Sequence, residues 1–574
     1  MNIQEEIKNL IEGALKEIDL PGFFFTVTHP KNFEFGDYST ELLVRMGPLS
    51  VNEDKILSYL NKHKSDNIEK IEIKLMFINF YLSPKFFRGS VEEILNNKNF
   101  AENHLFSGKK IMVEYTDPNP FKPFHIGHLM TNAIGESIAI ILEHSGATVS
   151  RANYQGDVGL HVARAIWGLQ KRGLPNPDLS TAEKSNYIGE CYSLGAEEYG
   201  PIHLGNEEKE SPAKKEIDEI NKKIYDKTDA KINKIYDWGF KVTMEAFEDL
   251  YKILGTKFDF YFLESQMAPI GESVVRENLG KIFKESEGAI VFKGEEHDPK
   301  LHTRVFITSH NLPMYETKEL GLTLEKFRTK PDMNLSLVVT ANEQADYMRV
   351  VAKAISLIYP EYTDKMKHIV HGMMRFTSGK MSSRKGNIIT GESLIRDTIS
   401  LVTEKIKDRE WGEEMKNKTA EQVGVAAIKY SILKQSTGGD IVYDFEKSIS
   451  FEGDSGPYLQ YSYVRARSVL EKATQENIFP DPHQESAPAE IFEVEKMLYK
   501  FEEVVLRSAK EYEPHYIANY LIELARSFNS FYGSTIIVNK EDKTSPYKVA
   551  LTFAFSFVMK KGLHLLGIEA PERM

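Results

Sequence analysis

Two short runs in this chain carry residue types that handle phosphate. The first is Pro123-Phe124-His125-Ile126-Gly127-His128; the second is Lys380-Met381-Ser382-Ser383-Arg384-Lys385-Gly386-Asn387. His125 opens a predicted helix, so its imidazole and the unpaired backbone N–H groups of the first turn face the same anion. His128 lies one turn on, near the same face, and adds a second donor. Gly127 has no side chain, which lets a flat base or a phosphate approach the backbone. In the second run, Lys380, Arg384 and Lys385 gather three cations on one loop with Ser382 and Ser383. Such a loop meets charge that grows on a phosphoryl group in the transition state, and moves no proton. Alone, the first run also reads as a capping histidine beside a core one, and the second as an exposed basic turn. Together, in this order, they point to a site where ATP activates a carboxylate, with the carboxylate itself as nucleophile.

The elements that must hold these groups are readable around them. Lys110 to Tyr115 is a short apolar strand, and the Pro-rich stretch Asp117 to Pro123 can continue neither strand nor helix. Ile126 to His144 has helical periodicity through Leu129, Ala133, Ile134, Ile138, Ile141 and Leu142, with Gly146 as its stop. Val149 to Asn153 returns as a strand. This β–loop–α–β order is the first half of a doubly wound parallel sheet, in which ligands sit at the carboxyl ends of the strands. Residues 171–300, rich in Lys and Glu, read as a mostly helical insertion. Val305-Phe306-Ile307, Leu335 to Thr340 and His368 to Met373 are expected to complete the second half-sheet. The alternation Ile71-Glu72-Ile73-Lys74-Leu75 marks a half-buried strand in a small α/β domain over residues 1–100. The catalytic α/β domain is expected over 108–398. An all-α bundle follows over 405–574, with apolar-periodic stretches at 421–434, 457–474, 488–511, 513–532 and 545–567.

The 574 residues call for several folded units, and 27% charged with 41% hydrophobic residues is ordinary for a water-soluble chain. The net charge of −12 argues by itself against nucleic acid. Local patches decide polyanion binding, however, and the lysines at 214, 215, 222, 223, 227, 231 and 234 are either such a patch or solvated helix faces. Composition leaves the partner open. The single cysteine, Cys191, rules out a disulfide framework and a thiolate zinc site, and fits a reducing cytoplasm. The N-terminal stretch is an acidic amphipathic helix and not a signal peptide. No apolar run approaches the roughly 20 residues of a membrane span.

The two runs resemble the HIGH and KMSKS motifs of class I aminoacyl-tRNA synthetases. Along nearly the whole length the chain resembles the arginyl-tRNA synthetase family. The residues that carry this are Val113 to Tyr115 with Asp117-Pro118-Asn119-Pro120 and Lys122-Pro123, Asn153 to Gly159, and Phe451-Glu452-Gly453 with Gly456 to Tyr461. Leu566 to Met574 and Phe35-Gly36-Asp37-Tyr38-Ser39-Thr40 add to them. The second motif departs from the family: Ser383 stands where the second lysine is usual, and its charge is displaced to Arg384 and Lys385. The resemblance implies a Rossmann-like catalytic domain, an N-terminal domain that touches the tRNA elbow and a bundle that grips the anticodon stem and loop. It implies tRNA(Arg), L-arginine and ATP as partners, Mg²⁺ with the nucleotide, a monomer, and arginine activation that requires bound tRNA; no zinc is expected, and no editing domain, because the 171–300 stretch is too helical and shows no paired catalytic groups.

The same resemblance assigns residues. His125, His128, Lys380, Arg384 and Lys385 are the expected catalytic groups. Lys122, Gly127, His371, Met373, Ser382 and Ser383 join them around ATP. Lys122, three residues before His125, either supports the phosphates or lies along the surface as an ordinary lysine. Glu114, Asn119, Tyr315, Glu319 and Gln344 are expected to hold arginine, whose planar cation pairs best with carboxylates. Glu319 departs from the family, which usually has Arg-Asp where this chain has Lys318-Glu319. Phe528, Tyr532 and Met574 either contact unpaired bases or pack inside the bundle. Two rival readings are another HxGH adenylyltransferase, disfavoured by the length and the helical C-terminal half, and a non-catalytic RNA-binding relative, disfavoured by the intact histidines and basic loop.

Overall fold

The computed structural model describes residues 3–47, 52–200, 211–377, 389–483 and 487–574. The chain forms two compact units that do not follow chain order. One joins the chain up to Ala101 with Tyr461–Val504 and Tyr520–Lys561; the other comprises Glu102–Gln460, Val505–Asn519 and Gly562–Met574. The helical C-terminal stretch is thus shared between both units.

In the first unit, helix Ile3–Glu17 repeats apolar residues at helical spacing and buries Ile3, Ile7, Ile11, Ala14 and Leu15. Its neighbours include an antiparallel sheet of β1 (Tyr38–Thr40), β2 (Ile68–Lys74) and β3 (Phe77–Leu82), with β3 in the centre. Tyr38 and Ile71 both face Phe80. The turn into β1 needs Gly36, whose φ is +85° and where a Cβ would lie 2.6 Å from the Phe80 carbonyl oxygen. The Tyr38 hydroxyl bonds to Glu503, and His29 Nε2 lies 3.0 Å from the same carboxylate. Helices His515–Ser534 and Ser545–Leu565 meet in this unit through Phe528, stacked on Phe555 with ring centroids 3.9 Å apart.

The second unit is built on a five-stranded parallel sheet. Its strands are β4 (Lys110–Glu114), β5 (Thr148–Gln155), β6 (Phe260–Leu263), β10 (Leu335–Ala341) and β11 (Met366–His371), in the order β11-β10-β4-β5-β6. β4 is where the winding reverses, since β5 lies on one side of it and β10 on the other. That reversal opens a crevice at the carboxyl end of β4, where ligands bind in such sheets. A separate antiparallel sheet contains β7 (Lys284–Ser286), β8 (Ala289–Lys293) and β9 (Thr303–Ile307).

Here two expectations are corrected. Val305-Phe306-Ile307 lies in β9, which pairs with its near neighbour β8 and stays outside the parallel sheet. The Glu287-Gly288 turn, with φ of +50° and +79°, makes the β7–β8 hairpin that β9 extends. The edge beside β5 is taken instead by β6, a short aromatic run inside the stretch read as mostly helical. That stretch does hold helices Thr181–Tyr199, Pro212–Asp226 and Ala230–Leu254. Among the described residues, no helix is long and apolar enough to cross a membrane.

Helices Glu264–Glu277 and Tyr315–Thr329 approach each other through glycines. A Cβ at Gly271 would fall 1.8 Å from the Thr317 carbonyl oxygen, and one at Gly321 2.2 Å from that of Met267. Backbone atoms cannot rotate away, so Gly321→Ala should destabilise the protein by about 1–3 kcal/mol. By contrast Gly89→Ala, at an exposed position of helix Pro84–Asn96 with nothing within 4 Å of the new methyl, should stabilise by roughly 0.5–1 kcal/mol. Thermal unfolding of both variants checks the pair.

Candidate active site

Beyond β4 the backbone takes left-handed conformations at Thr116 (φ 79°), Asp117 (φ 45°) and Phe121 (φ 66°). None is glycine, so this turn is strained by roughly 1 kcal/mol or more per residue and needs support. Support comes from the far end of β5. The Tyr154 N–H donates to Asp117 Oδ1 at 2.7 Å, and the Gly156 N–H donates to Asn119 Oδ1 at 3.0 Å. Asn132 Nδ2 on helix Ile126–His144 donates to Thr116 Oγ1 at 3.1 Å. The Pro-rich loop is thereby pinned over the crevice, and it delivers the chain to His125.

His125 and His128 cap the helix reciprocally. The His125 N–H donates to His128 Nδ1 at 3.2 Å, the His128 N–H donates to His125 Nδ1 at 3.4 Å, and the rings stack with centroids 3.3 Å apart. With both Nδ1 atoms accepting, each ring carries its proton on Nε2 and keeps an N–H free to donate. Gly127 serves this arrangement, because a Cβ there would press on the His125 ring at 3.0 Å. Loss of water, and then the Lys122 ammonium, push His125 down to about 4. Burial, and then His125, hold His128 well below the usual imidazole range. Lys122 itself is lowered by burial and by Arg164, and lies 5.6 Å from the centre of the Tyr192 ring.

A second cluster is acidic. Glu114, at the end of β4, forms an ion pair with Lys326, and both side chains are almost fully buried. Asp117 is raised well above the carboxylate range by burial and then by Glu114, and Glu319 is raised by the same two causes in the same order. Among the described residues, three carboxylates therefore gather around the Lys326 ammonium. Beside them the buried Glu264 and Lys318 form a 2.7 Å ion pair, which orients the first turn of helix Tyr315–Thr329. Tyr315 is 64% exposed in that turn, with Lys318 Nζ 5.2 Å from its ring centre. Gln344 is exposed and accepts from the Tyr347 hydroxyl at 3.4 Å.

Among the described residues, some buried polar atoms at the strand ends around the crevice lack a hydrogen-bond partner. They are Asn153 Oδ1, Tyr154 Oη and both side-chain ends of Gln155 on β5, and His371 Nε2 on β11. His371 Nδ1 lies 2.7 Å from the Gly372 carbonyl, which can only accept, so Nε2 is left as an acceptor. Sequence reasoning missed Asp117, Tyr154, Gln155, Glu264, Lys318 and Lys326 as site groups. The spacing of Glu319 and Lys326, seven apart and so on one helical face, was the available signal.

Lys380, Ser382, Ser383, Arg384 and Lys385 lie outside the described residues. Met373 is 41% exposed after β11. Of the three residues offered as base contacts or packing, Phe528 is core: it is 0% exposed, under Phe555, and cannot reach a base from there. Tyr532 is 43% exposed with Arg465 4.9 Å over its ring. Met574 packs on Val402, Ile406 and Ala420 in the second unit.

The neutral histidines give a pH prediction. Each ring takes up a proton more readily in the unfolded chain than in the folded one. Their contribution to stability is therefore complete above the ordinary value of 6.5 and is lost as pH falls from there towards about 4. By NMR, His128 should keep the neutral-imidazole shift at about pH 5. Lys122→Met should move the His125 midpoint upward. A His128 midpoint at 6.5 or above would show that the rings are not neutral donors.

Comparison with known proteins identifies the family. Three family models match in succession: the arginyl tRNA synthetase N terminal domain over residues 3–82, the catalytic domain of "tRNA synthetases class I (R)" over 90–445, and the DALR anticodon binding domain over 459–574. The arginine--tRNA ligase of Clostridium botulinum is 29% identical and that of Halothermothrix orenii 27%, each alignment covering 100% of both chains. The fold is shared with the Thermus thermophilus arginyl-tRNA synthetase, at a TM-score of 0.79 and 23% identity over 100% of both chains. It is shared also with that of Plasmodium falciparum, at 0.77 and 19% over 100% of this chain and 99% of that one. The catalytic-domain model spans more than half of the sequence, between matches to its two companion domains, and the chain belongs to the arginyl-tRNA synthetase family of class I.

Proposed function

We propose that this protein joins L-arginine to tRNA(Arg) in two steps at the crevice beyond β4. In the first, an arginine carboxylate oxygen attacks the α-phosphorus of ATP, the bond to the bridging oxygen breaks, and pyrophosphate leaves with that electron pair. In the second, a hydroxyl of the terminal tRNA ribose attacks the arginyl carbonyl, and AMP leaves. The observation that carries this reading is the gathering of buried Glu114 and half-buried Asp117 and Glu319 about Lys326, beside two neutral Nε2–H donors. The first group attracts a cation, and the second can donate to an anion.

In this reading Glu114 and Glu319 take the guanidinium, with Tyr315 against it. Asn119 and Gln344 take the α-amino end. His125 and His128 donate to phosphate oxygens without adding charge, and Lys122, Lys380, Arg384 and Lys385 supply the charge that grows on the phosphates, with Ser382 and Ser383 beside them. Gly127, Met373 and the acceptor Nε2 of His371 border the adenosine. Mg²⁺ arrives with ATP as part of that substrate. Residues 1–100 meet the tRNA elbow. The bundle over 405–574 takes the anticodon arm, where exposed Tyr532 is available for stacking and Met574 for contact at the chain end. The family resemblance supports a cytoplasmic monomer.

ATP–pyrophosphate exchange, screened over all twenty amino acids with and without tRNA, tests the reaction. Exchange is expected with arginine alone and only when tRNA is present; exchange with another amino acid would show the pocket assignment to be wrong. Proton release tests the pocket. Guanidinium binding lowers the raised carboxylates, so binding of arginine at about pH 7 should release protons and weaken as pH falls. Calorimetry in two buffers of different ionisation enthalpy reads this directly, and equal apparent enthalpies would argue against these carboxylates.

A further inference from the structure

A buried ammonium that takes no part in the reaction above lies behind the helix that begins at His125. Lys429, 1% exposed in helix Glu413–Leu433, donates to the Leu254 and Gly567 carbonyl oxygens, each at 2.6 Å. Leu254 ends helix Ala230–Leu254, and Gly567 (φ 63°) follows helix Ser545–Leu565. One cation thus closes the negative ends of two helices, where carbonyls lack helical partners.

The second of these ends is the tail of the chain, and it lies on helix Ile126–His144. Ser137 Oγ donates to the Leu565 carbonyl at 2.8 Å, and a Cβ at Gly567 would lie 3.7 Å from both Glu136 Cγ and Ile140 Cδ1. Further along, Gln460 Nε2 donates to the Glu569 carbonyl at 2.7 Å, and Gln422 Nε2 to the Glu569 carboxylate at 2.6 Å. Met574 ends in the apolar cluster of Val402, Ile406 and Ala420.

We propose that the tail from Leu565 to Met574, held by Lys429, is a positioning element for adenylate formation, with Lys429 as a positioning residue acting through helix Ile126–His144. The inference rests on the reading of His125 and His128 as phosphate donors. Its size follows from geometry. Ser137 stands about 18 Å along the helix axis from His125, so a tilt of about 3° at the tail moves the imidazoles by about 1 Å. A misplacement of that size is enough to slow a reaction by about a hundredfold.

The test compares full-length Lys429→Met, Lys429→Arg and Ser137→Ala with the parent chain. Arginine-dependent exchange is measured at saturating tRNA, tRNA affinity by filter binding, folding by circular dichroism, and the His128 Cε1–H resonance by NMR. Lys429→Met should lower kcat about tenfold or more and shift the His128 resonance. KM for arginine and Kd for tRNA should stay within about twofold, and Lys429→Arg should recover part of kcat. Ser137→Ala should lower kcat by about threefold, and it decides the matter if Lys429→Met does not fold. Weaker tRNA binding with kcat intact would overturn the proposal, because the tail would then serve RNA alone. An unmoved His128 resonance in folded variants would overturn it as well, and needs no turnover. Absence of arginine-dependent exchange in the parent chain would instead defeat the proposed reaction.

Discussion

Leaving β4, the backbone must turn left-handed at Thr116 and Asp117, and again at Phe121, although neither the threonine nor the phenylalanine favours it. The end of β5 holds the turn in place by offering two backbone N–H groups to Asp117 and Asn119. Both halves of the site depend on that clamp. It turns the carboxylate side of the loop towards Glu114 and Lys326, and it brings His125 to the helix start with its backbone N–H ready for His128. The strain is local, but the geometry it fixes extends to the two capping histidines and to the acidic pocket together.

The site divides its electrostatic labour. The histidines are kept neutral by loss of water and by a neighbouring lysine, so they fix the direction of a hydrogen bond and add no charge. The acidic pocket does the opposite, since burial and mutual repulsion hold Asp117 and Glu319 above their usual range until a cation arrives. The Glu264–Lys318 pair and the glycine contacts between helices Glu264–Glu277 and Tyr315–Thr329 keep the pocket wall from adjusting.

Much of this was legible in the residues, for reasons that differ by element. β4 is a short apolar run, the helix from Ile126 has helical periodicity, and the proline run between them can be nothing but a turn, so the first half-sheet follows from local rules. β6 has four residues and no alternation, and its membership depends on an edge left open by β5, which no local rule sees. Lys326 is an unremarkable helix lysine until the sheet order sets it beside Glu114. Phe528 shows the reverse failure: an aromatic on a helix looks the same whether it faces solvent or, as here, Phe555. The reciprocal caps of His125 and His128 were half visible, because the capping position was readable and the stacking of the two rings was not.

The unit that joins the start of the chain to its late helices also bears on how the protein is made. Tyr38 and Glu503 are separated by 465 positions, so the hydroxyl leaves the ribosome long before its acceptor exists. At roughly 5–20 residues per second, the N-terminal sheet waits on the order of half a minute or more for that partner. During that interval Tyr38 and Tyr499, buried neighbours in the finished core, are kept apart by an unfinished chain. Contacts of such long range make assembly slow. Nascent chains that stall before the late helices would expose this apolar surface to chaperones and proteases.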